Sequence, residues 1–188
     1  MTKYLILIKH SLSRIEEDRP ANAWNLSMEG QLRAHRLAEQ LERFEPEVIV
    51  SSNEPKAKET AEILASHFQI VMQVISDLRE QDRSNVPYLS ENAFQASIRE
   101  FFQKPDELVF GSETANQAHT RFYRTVHSIL KEHRNKTVLI VTHGTMISLF
   151  VSRLTGSSDL ELWSQLGLPS FIALDLHSST LIVGDTII

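Results

Sequence analysis

Apolar residues in this chain fall into two kinds of pattern. Short unbroken runs alternate with longer stretches in which apolar positions recur every three or four residues. The runs are Tyr4-Leu5-Ile6-Leu7-Ile8, Val48-Ile49-Val50, Ile70 to Ile75 and Val138-Leu139-Ile140-Val141. Runs of this length bounded by polar residues predict strands buried on both faces. The spaced stretches predict helices. Ser27 reads as an N-cap with Glu29 in the first turn, and Leu32, Leu37, Leu41 and Phe44 form the apolar stripe of a helix to about residue 44. Pro55 to Phe68 predicts a second helix, with Ala57, Ala61, Ile63, Leu64 and Phe68 as its core face. Further helices are predicted near Glu91 to Gln103, Thr114 to His133 and Thr145 to Leu154. Phe171 to Leu176 and Thr180 to Val183 read as a closing hairpin around His177-Ser178-Ser179. Strands alternating with helices predict an α/β fold, a mostly parallel but mixed sheet with helices on both faces.

Composition narrows this picture. A length of 188 residues suits a single domain with a sizeable core. Cysteine is absent, which removes disulfides, thiolate catalysis and cysteine-ligated metal. The net charge of −5 comes with no block of Lys or Arg, so no nucleic-acid surface is expected. The first apolar run is too short for a leader h-region or a membrane span. The expectation is a cytoplasmic protein without a membrane partner, its oligomeric state open and a homo-oligomer included. A negative chain binds an anion only where its cations are gathered in one pocket.

Two of the runs end in histidine: Lys9-His10-Ser11 follows the first, and Thr142-His143-Gly144 follows the last. Ligands of open α/β sheets bind at the carboxyl ends of the strands, so both imidazoles are expected at one sheet edge. The run ending at Val50 enters Ser51-Ser52-Asn53-Glu54-Pro55-Lys56-Ala57-Lys58-Glu59-Thr60-Ala61, a turn that opens a helix with lysines near its positive end. Such an end suits a phosphate.

These segments together resemble the histidine phosphatase superfamily, also called phosphoglycerate mutase-like. Its strand–Arg-His-Gly signature is matched by Lys9-His10-Ser11, and its Ser-Ser-Asp-x-x-Arg-Ala-x-Gln-Thr-Ala by Ser51 to Ala61. Its Leu-x-Glu is matched by Leu78-Arg79-Glu80, and its Ser/Thr-His-Gly by Thr142-His143-Gly144. Leu26-Ser27-Met28-Glu29-Gly30 matches a further element, with Arg33-Ala34 in its last places, and Gly111-Ser112-Glu113-Thr114 loosely matches a Gly-Glu-Ser element. The matches run in order along the whole chain. The resemblance implies a three-layer sandwich spanning 1–188, with a lid-like segment at about 82–113. It implies a phosphomonoesterase for a small phosphorylated metabolite that passes through a phosphohistidine, with no cofactor and no metal.

By resemblance His10 is the nucleophile, Glu80 the general acid, and His143 a donor to the phosphoryl oxygens. Lys9 and Lys56 take the places of two phosphate-gripping arginines, and Ser11 and Gly144 adjoin the same phosphate. A neutral imidazole can attack phosphorus, and a covalent intermediate divides one hard displacement into two easier ones. The lysines are departures, because guanidinium grips two oxygens and ammonium is a point charge. One charge-assisted hydrogen bond is worth about 1.5–3 kcal/mol, or about 10- to 100-fold per site. Arg14, Arg79 and Arg83 are candidates to compensate, as substrate or phosphate contacts. Two rival activities remain: phosphoryl transfer of the mutase type, and a module that binds a phosphorylated ligand without turning it over. Tyr88, Phe94, Phe101 and Phe102 lie in the lid-like segment, where packing and an apolar leaving group are competing readings.

Overall fold

A computed structural model describes residues 3–176 and 181–183. Six strands form one sheet: β1 (Tyr4–Lys9), β2 (Val48–Ser51), β3 (Gln73–Val74), β4 (Val138–Thr142), β5 (Ser170–Asp175) and β6 (Leu181–Val183). Their order is β3-β2-β4-β1-β5-β6. The β1–β4, β4–β2 and β2–β3 pairs are parallel, while β5 runs antiparallel to both β1 and β6. The sheet is therefore mixed, as expected. The residues of the expected hairpin turn, His177 to Ser179, lie outside those described.

The helices are α1 (Met28–Leu41), α2 (Pro55–Phe68), α3 (Glu91–Gln103), α4 (Ala115–Glu132), α5 (Gly144–Thr155) and α6 (Asp159–Gln165). Side chains alternate across a strand, and the central strands feed both faces of the sheet. Ile6, Ile8, Ile49, Leu139 and Val141 pack under α1 and α2. Leu5, Leu7, Val50, Val138 and Ile140 pack under α3, α4 and α5. This is why the runs read as continuous apolar strings rather than alternating ones, and it makes the fold a three-layer sandwich.

Two expectations are corrected here. Leu32 is 55% exposed, and the buried face of α1 is Ala34, Leu37, Ala38 and Leu41. The third strand is only Gln73–Val74, an edge strand bonded on one side to β2, with Val71 exposed beside it. The segment 82–113 contains α3, anchored by buried Ile98, Phe101 and Phe102. Each such side chain contributes about 1.5–3 kcal/mol on burial. Phe101 and Phe102 are therefore committed to the core and are not available to a leaving group.

One close approach joins α1 to the loop after β1. A Cβ on Gly30 would lie 2.0 Å from the Leu12 carbonyl oxygen, so only glycine lets α1 meet the loop after β1. Ser27 caps this helix by accepting from the Gly30 N–H, as expected, and Ser27 also donates to the Leu12 carbonyl.

Candidate active site

β1 and β4 are neighbours in register, with Lys9 opposite Thr142, so the two strands end side by side. The next residue of each is a histidine, and the His10 N–H bonds the Thr142 carbonyl at 3.0 Å. The His10 and His143 rings lie edge to face with centroids 5.2 Å apart. β2 ends one strand further along and delivers Ser51 and Ser52, from which Glu54 and Lys56 lead into α2. The loop after β3 brings in Glu80, Gln81, Asp82 and Arg83. Ala21, Asn22, Glu54, Lys56 and residues 79–83 enclose a pocket at this edge.

His10 Nδ1 lies 2.8 Å from the Ser11 carbonyl oxygen. A carbonyl only accepts, so Nδ1 carries the hydrogen and Nε2 presents its lone pair. Burial, then the Lys56 ammonium and His143, push the His10 pKa well below the ordinary 6.5. The ring is thus neutral, with Nε2 as its lone-pair nitrogen. His143 is fully buried, and burial lowers its pKa to about 3. Its Nε2 meets the Ser52 hydroxyl at 2.9 Å, with the Glu54 carboxylate 3.6 Å away, while Nδ1 has no partner among the described residues.

Lys9 runs past Gly144 toward the Leu166 carbonyl, to which it donates at 2.8 Å. A Cβ at Gly144 would lie 3.2 Å from the lysine Cε, so the glycine leaves room for this side chain. Burial lowers the Lys9 pKa to about 8, partly offset by Glu80. Lys56 is 6% exposed, donates to the Ala21 carbonyl at 2.6 Å and pairs with Glu54 at 3.0 Å. Glu80 accepts from the Gln81 N–H at 2.9 Å through Oε1. Its Oε2 accepts from the Thr145 N–H at 3.4 Å and pairs with Arg83 at 3.1 Å.

Not every expected contact is arranged this way. The Ser11 hydroxyl donates to the Gly30 carbonyl at 2.6 Å and is fully buried, so it serves the α1 junction instead of a phosphate. Arg14 is exposed and paired with Glu16. Arg79 reaches the pocket rim but pairs with Asp77. Of the three compensating arginines, Arg83 is the one whose guanidinium joins the other charges.

Two further residues belong to the site. Glu54 is buried and central: its carboxylate accepts from the Glu80 N–H at 2.9 Å and pairs with Lys56. Its signal in the sequence was a carboxylate two residues before a lysine that must be buried, since such a lysine needs a counter-charge. Arg121, on α4, grips Glu113 through Nε at 2.9 Å and Nη2 at 2.7 Å. The same guanidinium donates to the carbonyls of Asp77, Arg79 and Glu80. It thus fixes the backbone that carries Glu80. No local pattern signalled it, because the carbonyls it holds are 41–44 residues away.

The model of the histidine phosphatase superfamily (branch 1) matches residues 5–181. A protein of Bacillus subtilis (strain 168), the uncharacterized phosphatase PhoE, is 26% identical over 139 residues, covering 74% of this chain and 68% of that protein. Among solved structures, the native mycobacterial glucosyl-3-phosphoglycerate phosphatase is similar over 100% of both chains at 20% identity, with a TM-score of 0.79. The phosphoserine phosphatase of Entamoeba histolytica, in complex with 3-phosphoglyceric acid, is similar over 98% of both chains at 19% identity, with a TM-score of 0.78. At these identities the structures establish the fold. The family match, spanning nearly the whole chain, establishes that this protein belongs to the histidine phosphatase superfamily.

Proposed function

We propose that this member of the histidine phosphatase superfamily hydrolyses small phosphate monoesters through a phosphohistidine on His10. The observation that carries the reading is the His10 ring: Nδ1–H is tied to the Ser11 carbonyl, which leaves Nε2 as the lone-pair nitrogen of a neutral imidazole set 5.2 Å from the His143 ring and near the Lys56 ammonium. In the first step the Nε2 lone pair forms a bond to phosphorus as the ester P–O bond breaks. Glu80 gives its proton to the departing alkoxide. In the second step water attacks phosphorus, Glu80 takes the water proton, and the N–P electron pair returns to Nε2. Lys9, Lys56 and His143 hold the non-bridging oxygens where charge accumulates. The unpartnered Nδ1 of His143 is the nitrogen left for a phosphoryl oxygen when the Ser52 hydroxyl donates to Nε2. Glu54 holds Lys56 until substrate arrives, so an anion must displace one contact of an ion pair to bind. A cytoplasmic location and a metabolite-sized substrate are parts of the same reading.

The direct test is chemical trapping. Rapid quenching with p-nitrophenyl phosphate is expected to give one acid-labile, base-stable phosphoryl group per chain, mapping to His10. A protein that binds phosphate tightly but never carries this label is a binding module, and the enzymatic reading fails.

The position of Lys9 adds a pH signature. With its pKa near 8, Lys9 loses its proton, and its hold on a phosphoryl group, as pH rises through that value. The pH profile of kcat/KM reports free-enzyme ionisations, so it is expected to fall above about 8. Lys9→Arg replaces a titrating cation with one that stays charged throughout this range. Its alkaline limb should move up by more than one pH unit, and an unmoved limb would assign the ionisation to another group.

A further inference from the structure

The head of α5 carries two enclosed polar atoms with no hydrogen-bond partner among the described residues, His143 Nδ1 and Thr145 Oγ1. In the proposed reaction the first meets a phosphoryl oxygen. The second has no role there. Thr145 is 0% exposed, so solvent does not satisfy its hydroxyl. Its place in the helix explains the missing partner. Further along α5, the Ser148 and Thr155 hydroxyls donate to the carbonyls four residues back, Gly144 and Val151, at 2.8 and 2.9 Å. Four residues before Thr145 is Val141, whose carbonyl belongs to β4 and accepts from the Ser52 N–H at 2.9 Å. A hydroxyl enclosed without a partner is costly, and valine would fill the same space without that cost.

The neighbours of this hydroxyl are the reacting groups. The Thr145 N–H reaches Glu80 Oε2 at 3.4 Å, and the covalent frame keeps the hydroxyl beside that N–H. Gly144, one residue earlier, lies against the Lys9 side chain, and His143, two residues earlier, sets its ring on that of His10. The hydroxyl thus adjoins the carboxylate that serves as acid and base, in the turn that follows a ring holding the phosphoryl group.

The second chemical step has a need that Glu80 alone does not meet. An attacking water has two hydrogens and must turn a lone pair to phosphorus. Glu80 takes one hydrogen as a proton. The other stays on the oxygen and becomes the hydroxyl of hydrogen phosphate. In an enclosed site that second hydrogen needs an acceptor too, or the water rotates and its lone pair leaves the line of attack. The ammonium groups of Lys9 and Lys56 and the Arg83 guanidinium only donate, whereas a threonine hydroxyl accepts as well.

We propose that Thr145 Oγ1 seats the hydrolytic water by accepting its second hydrogen, and so favours water over an alcohol as acceptor of the phosphoryl group. This rests on the phosphatase reading, with His10 as carrier and Glu80 as base. The water oxygen bonds phosphorus, the N–P pair returns to Nε2, Glu80 gains one proton, and Thr145 exchanges none. An alcohol brings a single hydrogen, which Glu80 takes, and its carbon stands where water carries the second. Thr145 gives the alcohol no help.

The test is a competition for the phosphohistidine. The wild type, Thr145→Val and Thr145→Ser turn over p-nitrophenyl phosphate in water containing methanol, and the ratio of methyl phosphate to inorganic phosphate is read by phosphorus NMR. This ratio is decided after the phosphohistidine has formed, so any effect of a variant on its formation cancels. Thr145→Val should raise the ratio about three- to tenfold, within the range that one ordinary hydrogen bond carries. Thr145→Ser keeps the hydroxyl and makes more room, and its ratio should change by less than about twofold. Since the lost hydroxyl has no partner in the fold, Thr145→Val should melt no lower than the wild type. An unchanged ratio in Thr145→Val, or methyl phosphate from neither protein, overturns the proposal. A similar rise in Thr145→Ser also overturns it, because space for methanol then sets the ratio. A lower melting temperature of Thr145→Val overturns it as well, since the hydroxyl then serves the fold. If His10 is labelled and the ratio stays fixed, only this inference fails. If His10 is never labelled, the phosphatase reading fails with it.

Discussion

His10→Ala is expected to lower kcat with p-nitrophenyl phosphate by about 10³-fold or more, with the fold intact. The two halves of this expectation rest on different observations. Loss of activity follows, on the proposed reading, from loss of the nitrogen that bonds phosphorus. What remains is stabilisation of charge by Lys9, Lys56 and His143, which supplies no nucleophile except water. Retention of the fold follows from position. His10 lies just beyond β1, outside both apolar clusters, and its ring contacts are the Ser11 carbonyl and the His143 edge. Removing one ordinary hydrogen bond costs about 0.5–1.5 kcal/mol, a small part of a domain's stability. Steady-state kinetics and a thermal melt of the same preparation check both halves. Residual activity above about one part in a thousand would remove His10 as the nucleophile, because a step without covalent participation rests only on electrostatics and binding.

The parts of the fold that were legible are those set by local chemistry. β1 and β4 are continuous apolar strings because each feeds two cores, and both run directly into a histidine. The Ser27 cap was readable because a serine before an amphipathic stretch has one good use for its hydroxyl. Leu32 misled because Ala34 and Ala38 share the buried face with Leu37 and Leu41, and small side chains carry little weight in a hydrophobic pattern. The strand expected over 70–75 shrank to Gln73–Val74 because an edge strand has one neighbour to hold it. α6 escaped the pattern because it is a short helix of about two turns, although Ser158 caps it through the Glu161 N–H.

The site divides along the same line. His10, His143, Lys56 and Glu80 follow strands, so local sequence places them at one edge. What depends on how three loops converge is the joining of these segments: Glu54 accepts from the Glu80 N–H, and Lys56 donates to the Ala21 carbonyl. The Arg121 clamp depends on α4 lying over the Glu80 loop. Ser11 shows the limit of motif transfer. A hydroxyl in a phosphate signature invites a phosphate contact, but the Gly30 carbonyl is nearer and takes its hydrogen.

Glu80→Gln separates leaving groups, and this is the sharpest expectation for the acid. An alkyl alkoxide departs poorly at neutral pH and needs a proton in the transition state, whereas a nitrophenolate departs without one. A positioned acid typically supplies about 10²–10⁴-fold, and only where protonation is required. Glutamine keeps the size of the side chain, and its single oxygen can still accept from the Gln81 N–H that orients Glu80, at the cost of the longer Thr145 contact. What it loses is the transferable proton and the charge facing Arg83. Single-turnover labelling of His10 should therefore slow by about 10²-fold or more with an alkyl phosphate and by less than about tenfold with p-nitrophenyl phosphate. The second step needs a base for water, which glutamine cannot supply. Phosphohistidine should then accumulate with the nitrophenyl ester, giving a burst of nitrophenolate followed by slow turnover. Equal slowing of labelling by both esters would exclude Glu80 as the acid. Asp82 is a weak replacement, since hydrogen bonds from Ser84 hold its pKa below the ordinary value and keep it a carboxylate. Glu54 would become the next group to test, because its carboxylate already touches Lys56, His143 and the Glu80 N–H.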